Sequence, residues 1–312
     1  MIDSASLFTR HPGNPMLSPE RWPYSINAVM NAGATRVGDE IVLLCRVEDR
    51  RGFSHLTCAR SPDGISNWVV DPHPSMAQDP SRPEEEWGLE DPRVTYIEEL
   101  ERWIVTYTAF GREGPGVSLA QTTDFRTFER MGMVMSPEDK NAVLFPRRIG
   151  GDWILFHRPT SVQGADIWLS RSSDLKSWHS PERVLGRRPG GWWDSARVGM
   201  GPPPIETAHG WLVVYHGVRQ TVAGGLYRAG LALLDLEQPA HVIRRSAEWV
   251  LSPRAEYEMS GDVPNVVFPC GLVHEPETDR LLLYYGAADT RIGLATASYA
   301  EVCEYLLSCS PG

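Results

Sequence analysis

A strand-like pattern that recurs about every 60 residues constrains this chain more than any other feature of its sequence. Five short segments of one type carry the pattern: LTCA, VSLA, IWLS, LALL and IGLA. Their last residues are Ala59, Ala120, Ser170, Leu234 and Ala295, which are spaced by 61, 50, 64 and 61 positions. A stretch rich in β-branched and aromatic residues precedes each segment, at 41–46, 103–108, 153–157, 211–216 and 281–285. Such stretches are typical of β-strands.

A further candidate strand lies before each of these pairs, at 32–37, 92–97, 143–149, 203–207 and 266–273. Three or four short strands in a unit that repeats five times predict a five-bladed β-propeller. A two-sheet sandwich is the competing fold, but a sandwich has no reason to repeat at this length. Only residues 299–307 carry apolar residues at helical spacing. We therefore predict an all-β chain, with residues 1–312 forming one propeller domain that ends in a short helix.

Three of the units continue into a turn of the same composition, SPDGISNW, TTDFRTF and SSDLKSW. In each turn an Asp follows a Ser or Thr by two residues, at Asp63, Asp124 and Asp174. An Asp side chain in this position accepts hydrogen bonds from backbone N–H groups further along and closes an Asx turn. We expect the aromatic residue after each turn to begin an outer strand.

The charge and the cysteine content exclude several classes of protein. With 30 Lys and Arg against 40 Asp and Glu, the net charge is −10, which argues against a surface for nucleic acid. No apolar stretch reaches the length of about 20 residues that a membrane helix needs. The N-terminus lacks the pattern of a signal peptide. Five cysteines without a CxxC pair predict reduced thiols and a cytoplasmic protein.

Polar side chains cluster where the central strands end. The basic members are Arg112, Lys140, His157, Arg158 and His216. Several cations around one cavity, in a protein with negative net charge, favour an anion such as phosphate. The alternative is that each of them is an ordinary surface residue. A nucleotide phosphate site is not supported, because the chain has no GxxxxGK[ST] loop.

The segment GLEDPR contains the adjacent carboxylates Glu90 and Asp91 at the start of a candidate strand. Neighbours in a strand point to opposite faces, so one carboxylate can enter the cavity while the other braces the sheet. A solvated turn before Pro92 explains the segment equally well. The pair Trp192 and Trp193 precedes Asp194, an arrangement suited to sugar rings and hydroxyls, although tryptophans more often fill a core. Neither a metal-binding histidine motif nor a GxSxG elbow is present.

Taken together, these segments resemble glycoside hydrolase family 130. The resemblance rests on NPMLSP, RVEDRRGFSHL, GLEDPR, LFP, HRP, GWWDSARVGMGPPP, YHGV, DVPNVVFPCG and YYGAADTRIGLATAS, which span nearly the whole chain. One departure is that many relatives carry NKD before the LFP strand, whereas this chain has Asp139, Lys140 and Asn141. The resemblance implies a five-bladed propeller, in agreement with the repeat.

The resemblance also implies phosphorolysis of a terminal β-mannosyl unit, with inversion, to α-mannose 1-phosphate and a shortened acceptor. Asp91 would be the general acid, protonating the leaving oxygen through the 3-hydroxyl of mannose. Phosphate would be held by Arg112, Lys140, His157, Arg158 and His216. Mannose would be bound by Asn31, Arg46, Asp49, Arg93, Asp194, Tyr285 and Asp289.

Inorganic phosphate would be a co-substrate, and neither a cofactor nor a metal is implied. Among linkages, β-1,4 is favoured over β-1,2, and the partners would be a mannobiose or mannooligosaccharide and, in an assembly, further copies of this chain. A β-mannoside hydrolase on the same fold and a propeller that binds glycans without cleaving them are the alternatives.

Overall fold

Short antiparallel strands make up most of the regular structure in the computed structural model, which describes residues 3–160 and 165–312. The chain opens with α1 (Ser4–Leu7) and β1 (Thr9–Arg10). Sheet 1 contains β2 (Ala28–Val37), β3 (Glu40–Glu48), β4 (Ser54–Ser61) and β5 (Val69–Val70). Sheet 2 contains β6 (Gly88–Ile97), β7 (Arg102–Gly111), β8 (Gly114–Thr122) and β9 (Glu129–Met135). One parallel bridge, between Ser54 and Gly88, joins these two sheets.

Three further sheets follow the same order along the chain. Sheet 3 contains β10 (Asp139–Leu144), β11 (Trp153–Pro159), β12 (Ile167–Ser172) and β13 (His179–Leu185). Sheet 4 contains β14 (Arg197–Met200), β15 (Ile205–Thr207), β16 (Gly210–Thr221), β17 (Gly224–Leu234) and β18 (Val242–Arg245). Sheet 5 contains β19 (Val267–Glu275), β20 (Arg280–Ala287) and β21 (Arg291–Ser298), with β1 as its fourth strand.

The helices are short. They are α2 (Glu256–Met259) and α3 (Tyr299–Ser308), with 3-10 turns at Pro19–Arg21, Pro83–Glu85, Glu98–Leu100 and Pro276–Thr278. In the part of the chain that the structure describes, no helix has the length and apolar character needed to cross a membrane. The predicted all-β class and the terminal helix are confirmed.

The first strands of neighbouring sheets lie beside one another. β2 contacts β6 and β19, β10 contacts β6 and β14, and β19 also contacts β16 and β17. Buried hydrogen bonds join the sheets as well: the Thr106 hydroxyl donates to the Ala142 carbonyl at 2.6 Å, and the Tyr284 hydroxyl donates to the Gly64 carbonyl at 2.7 Å. The first strands therefore lie in one central region, and buried hydrogen bonds also connect neighbouring sheets.

The central strands and the Asx turns match the sequence prediction. In each predicted turn the Asp carboxylate accepts a hydrogen bond from the N–H group two residues on, at 2.8 Å for Asp63, 2.8 Å for Asp124 and 2.9 Å for Asp174. An outer strand begins directly after each turn, as β5, β9 and β13. The turn chemistry thus sets where the outer strand of these sheets starts.

Two predicted strands were wrong in their bounds. The strand expected at 143–149 is β10, which ends at Leu144, because Pro146 has no N–H group for a ladder. The strand expected at 203–207 is only β15 (Ile205–Thr207), an edge strand of sheet 4. The first strand of sheet 4 is β14, which lies before three consecutive prolines that interrupt the ladder.

A buried ion pair fastens the N-terminal strand to sheet 5. β1 pairs with β21, and Arg10 donates from Nε to Glu258 Oε1 at 2.7 Å and from Nη2 to Glu258 Oε2 at 2.8 Å. The Tyr285 hydroxyl donates to the same carboxylate at 2.7 Å. Burial raises the pKa of Glu258, but the hydrogen bonds from Arg10 and backbone N–H groups outweigh burial and lower the pKa.

We predict that Glu258→Ala lowers the free energy of unfolding by about 3 kcal/mol, because Arg10 is left with an uncompensated charge. Urea denaturation near neutral pH measures this. The matched control is Glu256→Ala, an exposed carboxylate in the same helix, which should change the value by less than about 0.5 kcal/mol. Equal effects of the two substitutions would show that the ion pair does not hold β1.

Candidate active site

The inner strands β2, β6 and β10 each carry a polar residue at a shift in the pairing register. The pairing register shifts between Met30 and Gly33 in β2, between Glu90 and Arg93 in β6, and between Lys140 and Val143 in β10. The first residue inside each shift is Asn31, Asp91 or Asn141, with φ of 49°, 48° and 54°. Asn and Asp tolerate this left-handed conformation better than other non-glycine residues, and such bulges re-aim side chains. The repeat thus directs three polar side chains towards the central region.

Asp91 is the buried centre of the acidic part of the site. Its Oδ1 accepts hydrogen bonds from Asn31 Nδ2 at 2.8 Å and from Arg46 Nη1 at 3.2 Å. Arg46 also donates from Nη2 to Glu90 Oε1 at 2.9 Å, and Lys140 Nζ lies 3.9 Å from Glu90 Oε2. The structure therefore brings together four predicted site residues and Glu90, which the sequence analysis kept as a brace.

Surrounding cations decide the ionisation of Asp91. Burial raises the pKa of this carboxyl, but the charges of Arg46, Arg93 and Lys140 and the Asn31 hydrogen bond outweigh it, and the pKa falls to about 2. Asp91 is consequently a carboxylate at neutral pH when the site holds no substrate. The pKa of Arg46 is raised: burial opposes the shift, and the carboxylates of Glu90 and Asp91 cause it.

Asp289 behaves in the opposite way. It follows β20 at a φ of 47°, and burial together with the nearby Asp91 charge raises the pKa of its carboxyl to about 6. The charge of Arg46 opposes this shift. Two carboxyl groups that share one site cannot both ionise freely, so the environment separates their pKa values. The more easily protonated carboxyl of the two is Asp289.

Arg93 is fully buried, and its hydrogen bonds go to backbone carbonyls. It donates to the carbonyl oxygen of Asp91 at 2.6 Å, and on the far side to the carbonyls of Gly201 at 3.1 Å and Met200 at 3.2 Å. Its guanidinium carbon lies 5.5 Å from the centre of the Phe268 ring. The sequence analysis assigned Arg93 to mannose binding. In the structure, its hydrogen bonds connect sheets 2 and 4 and hold the backbone at Asp91 in place.

Cations and polar groups gather beside Asp91. The buried Arg158 donates from Nε to Asn141 Oδ1 at 2.9 Å. Burial and the nearby charge of Arg197 lower the pKa of Arg158 to about 10. Within the described residues, Arg197 has no ion pair or side-chain hydrogen bond, and its guanidinium carbon lies 6.0 Å from the Tyr227 ring centre. Two guanidinium groups whose charges act on each other favour an anion between them.

His216 completes this basic group. It is buried, and neither ring nitrogen has a hydrogen-bond partner among the described residues. Its ring centre lies 4.4 Å from that of Phe268. Burial, followed by the charges of Arg158 and Arg93, lowers its pKa well below the ordinary value, so the ring is neutral at pH 7. A neutral imidazole offers one N–H donor that a bound oxygen atom can use.

His157 lies in the same sheet as Arg158 but is already satisfied. Its Nδ1 is 2.6 Å from Asp139 Oδ2, and its Nε2 is 2.9 Å from Ser170 Oγ. Both nitrogens are used inside sheet 3, and the ring is buried. The structure thus gives His157 a bracing role, because no ring nitrogen is left for phosphate.

Arg112 and Asp49 lie outside the cluster. Arg112 sits in the β7–β8 turn with 79% of its side chain exposed, and its Nε donates to Glu86 Oε2 at 2.8 Å. Asp49 accepts the Arg51 N–H at 2.7 Å and the Phe53 N–H at 3.2 Å, which closes the β3–β4 turn. The structure does not bring either residue to Asp91.

Asp194, which the sequence analysis assigned to mannose binding, is paired with neighbouring protein groups. It has no exposed surface and lies 2.8 Å from Arg188 Nη2, 2.7 Å from Arg245 Nη2 and 3.1 Å from the Tyr215 hydroxyl. A sugar hydroxyl would have to displace a buried ion pair to reach it. Asp194 is therefore a structural centre of sheet 4.

Tyr285 is likewise committed, since its hydroxyl donates to Glu258 in the network that holds β1. Burial and the Glu258 charge raise its pKa. The hydroxyl also lies 3.2 Å from the hydroxyl of Tyr257, so protein groups already surround it.

Sequence reasoning missed Arg197, Asn141 and Phe268 as members of the site. Asn31, Asp91 and Asn141 are spaced by 60 and 50 residues, which follows the repeat. That spacing was available as a signal for Asn141. Arg197 has no such signal, because β14 has no register shift of this kind.

In residues 3–160 and 165–312, no group of three His, Cys, Asp or Glu side chains is arranged to hold a metal ion.

We predict that Asp289→Asn raises the melting temperature at about pH 8. A raised folded-state pKa means that the carboxyl contributes stability below its unfolded pKa and loses it as pH rises through about 6. The amide cannot ionise, so its advantage should be largest above about pH 6 and shrink towards pH 4. Thermal melts at several pH values measure this. Asp39→Asn, in an exposed turn, is the control, and an equal pH-independent shift in both variants would contradict the argument.

Comparison with known proteins identifies the family of this chain. A profile of glycoside hydrolase family 130, described as β-1,4-mannooligosaccharide phosphorylase, matches residues 16–307. The β-1,4-mannooligosaccharide phosphorylase of Ruminococcus albus is 35% identical over 99% of this chain and 93% of its own length. A β-1,2-mannobiose phosphorylase of Listeria innocua is 38% identical over 82% of this chain and 71% of its own.

A solved structure shows the same likeness. The β-1,2-mannobiose phosphorylase from Listeria innocua in complex with β-1,2-mannobiose superimposes with a TM-score of 0.87 at 29% identity, over 96% of this chain and 99% of that one. Together with the profile match, these similarities establish that the chain belongs to glycoside hydrolase family 130.

Proposed function

We propose that this protein is a β-mannoside phosphorylase, which transfers a terminal β-mannosyl unit to inorganic phosphate. The proposal rests on one observation: the buried carboxyl of Asp91 and cations with unused hydrogen-bond donors lie in one central cluster. Arg158 and Arg197 lie on the basic side of this cluster, and Asn31 and Arg46 hold Asp91 on the acidic side. The relatives named as phosphorylases support the same activity.

The chemistry needs one acid and one nucleophile. A phosphate oxygen forms a bond to the anomeric carbon from the α face, while the bond from that carbon to the leaving oxygen breaks. The leaving oxygen takes its proton from Asp91, directly or through the sugar 3-hydroxyl, and α-mannose 1-phosphate is released. Phosphate is itself an anion, so cations that hold it in line replace the second carboxylate that an inverting hydrolase uses as a base.

Phosphate binding also prepares Asp91 for its role. The low pKa of Asp91 arises from neighbouring cations that outweigh burial, and Lys140 is one of them. A phosphate dianion beside these cations offsets their charge, so the pKa of Asp91 rises when phosphate is bound. Proton donation is thereby favoured in the complex that contains the nucleophile.

For the linkage, we propose β-1,4. The matching family profile is described as a β-1,4-mannooligosaccharide phosphorylase, and the Ruminococcus albus relative of that name matches 99% of this chain at 35% identity. We further propose that the five sheets form a five-bladed propeller and that residues 1–312 are one domain, because the inner strands contact one another in sequence. Localisation in the cytoplasm stays a prediction.

The decisive experiment incubates the protein with β-1,4-mannobiose or β-1,2-mannobiose, with and without inorganic phosphate. We expect α-mannose 1-phosphate only when phosphate is present, and faster with the β-1,4 substrate. Asp91→Asn should lower kcat by about a thousandfold, within the usual range for a general acid. Free mannose at a rate independent of phosphate would instead make the protein a hydrolase.

A second experiment locates the phosphate. Arg197→Ala should raise KM for phosphate about tenfold or more, because a charge-assisted hydrogen bond contributes about 1.5 to 3 kcal/mol. Arg112→Ala should change this KM by less than about twofold, since Arg112 is exposed and paired with Glu86. A larger effect of Arg112→Ala than of Arg197→Ala would instead place phosphate at Arg112, as the family resemblance implies.

A further inference from the structure

An open cleft lies on sheet 4, on the other side of the β16–β17 hairpin from the basic group. Its volume is about 490 Å³, and its walls include Trp192, Trp249, Arg219, Arg228 and Glu248. The cleft is distinct from the Asp91 site, because its lining residues and those of the site do not overlap.

The alternation of β-strands separates the two regions. His216 and Tyr227 share one face of the hairpin, with ring centres 6.3 Å apart, and this face meets the basic group. Arg228 pairs with Gly217, and Arg219 with Leu226, so these two arginines share the opposite face. One hairpin thus carries the basic group on one face and the cleft on the other.

Trp192 is held firmly from one side. It is 41% exposed, and the guanidinium carbon of Arg188 lies 4.1 Å from its ring centre. Arg188 is itself fixed by Asp194 Oδ2 at 2.8 Å and by the Ser246 carbonyl at 3.2 Å. A buried ion pair therefore supports an aromatic ring whose remaining surface faces solvent, and this orients the ring before any ligand binds.

The other wall repeats this arrangement. The guanidinium carbon of Arg228 lies 4.0 Å from the Trp249 ring centre, and Arg228 Nε donates to Ser252 Oγ at 3.0 Å. Arg219 and Glu248 are exposed beside it and supply a donor and an acceptor. Two supported indole rings with hydrogen-bonding groups of both kinds match the apolar faces and hydroxyl edges of pyranose rings.

We propose that this cleft is a second carbohydrate-binding site, which holds a β-mannosyl oligosaccharide chain away from the reaction centre. The choice of a mannosyl chain rests on the proposed function, whereas the sugar-binding character rests on the cleft itself. The carboxylate of Glu248 disfavours a simple anion, and Asp194 already neutralises Arg188. Chains of several units bind here more tightly than a disaccharide, because they cover both tryptophans.

The test uses calorimetric titration of β-1,4-mannohexaose, and in a second series of β-1,2-linked mannohexaose, into Asp91→Asn protein that does not turn over. Adding Trp192→Ala should weaken binding at one of two sites at least tenfold, while Trp192→Phe should keep most of the affinity. Tyr96→Ala, which removes a 44% exposed aromatic from sheet 2, is the matched control and should change nothing.

Activity on mannobiose separates the two proposals. Trp192→Ala in the otherwise native enzyme should keep kcat/KM for mannobiose phosphorolysis within about twofold. If the enzyme has no such activity, the proposed function fails, but the titrations still decide the cleft. Hexaose binding unchanged by Trp192→Ala would overturn the cleft proposal. Inorganic phosphate binding that Arg219→Ala abolishes would also overturn it, by making the cleft an anion site.

Discussion

The buried guanidinium of Arg93 is the contact on which the site depends. It joins the carbonyl of Asp91 in sheet 2 to the carbonyls of Gly201 and Met200 in sheet 4. A buried charge is costly unless its donors are satisfied, and three carbonyl oxygens satisfy them here without neutralising the charge. That charge acts on both sides: it lowers the pKa of Asp91 and, together with burial and Arg158, the pKa of His216.

The site consequently separates charge over a short distance within a protein of net charge −10. Carboxylates from sheets 2 and 5 lie on one side, and guanidinium groups from sheets 3 and 4 lie on the other. Asp289 is ionised with difficulty and Asp91 with ease, which is the arrangement expected where two carboxyls have different tasks. The charges of Arg158 and Arg197 repel each other, and the phosphate anion of the proposed function would relieve that repulsion.

The sequence predicted those parts of the molecule that local chemistry determines. Repeated strands and Asx turns such as that of Asp63 depend on neighbours in the chain, and the structure contains them. The roles of Asp194 and Tyr285 depend on partners far along the chain, Arg245 and Glu258, that no local pattern reveals. Motif resemblance selected polar residues without distinguishing a sugar contact from a residue that hydrogen-bonds only within the protein. The position of Arg197 beside Arg158 required the fold.

The β16–β17 hairpin shows how strand geometry can serve two purposes. Because side chains alternate between faces, His216 reaches the basic group, whereas Arg219 and Arg228 lie on the opposite face and reach the cleft. The two regions therefore share a backbone without sharing side chains. Substitutions on the cleft face can alter the affinity for long chains without moving His216. On this arrangement, the length of chain that the protein prefers is set independently of the reaction that the buried centre performs.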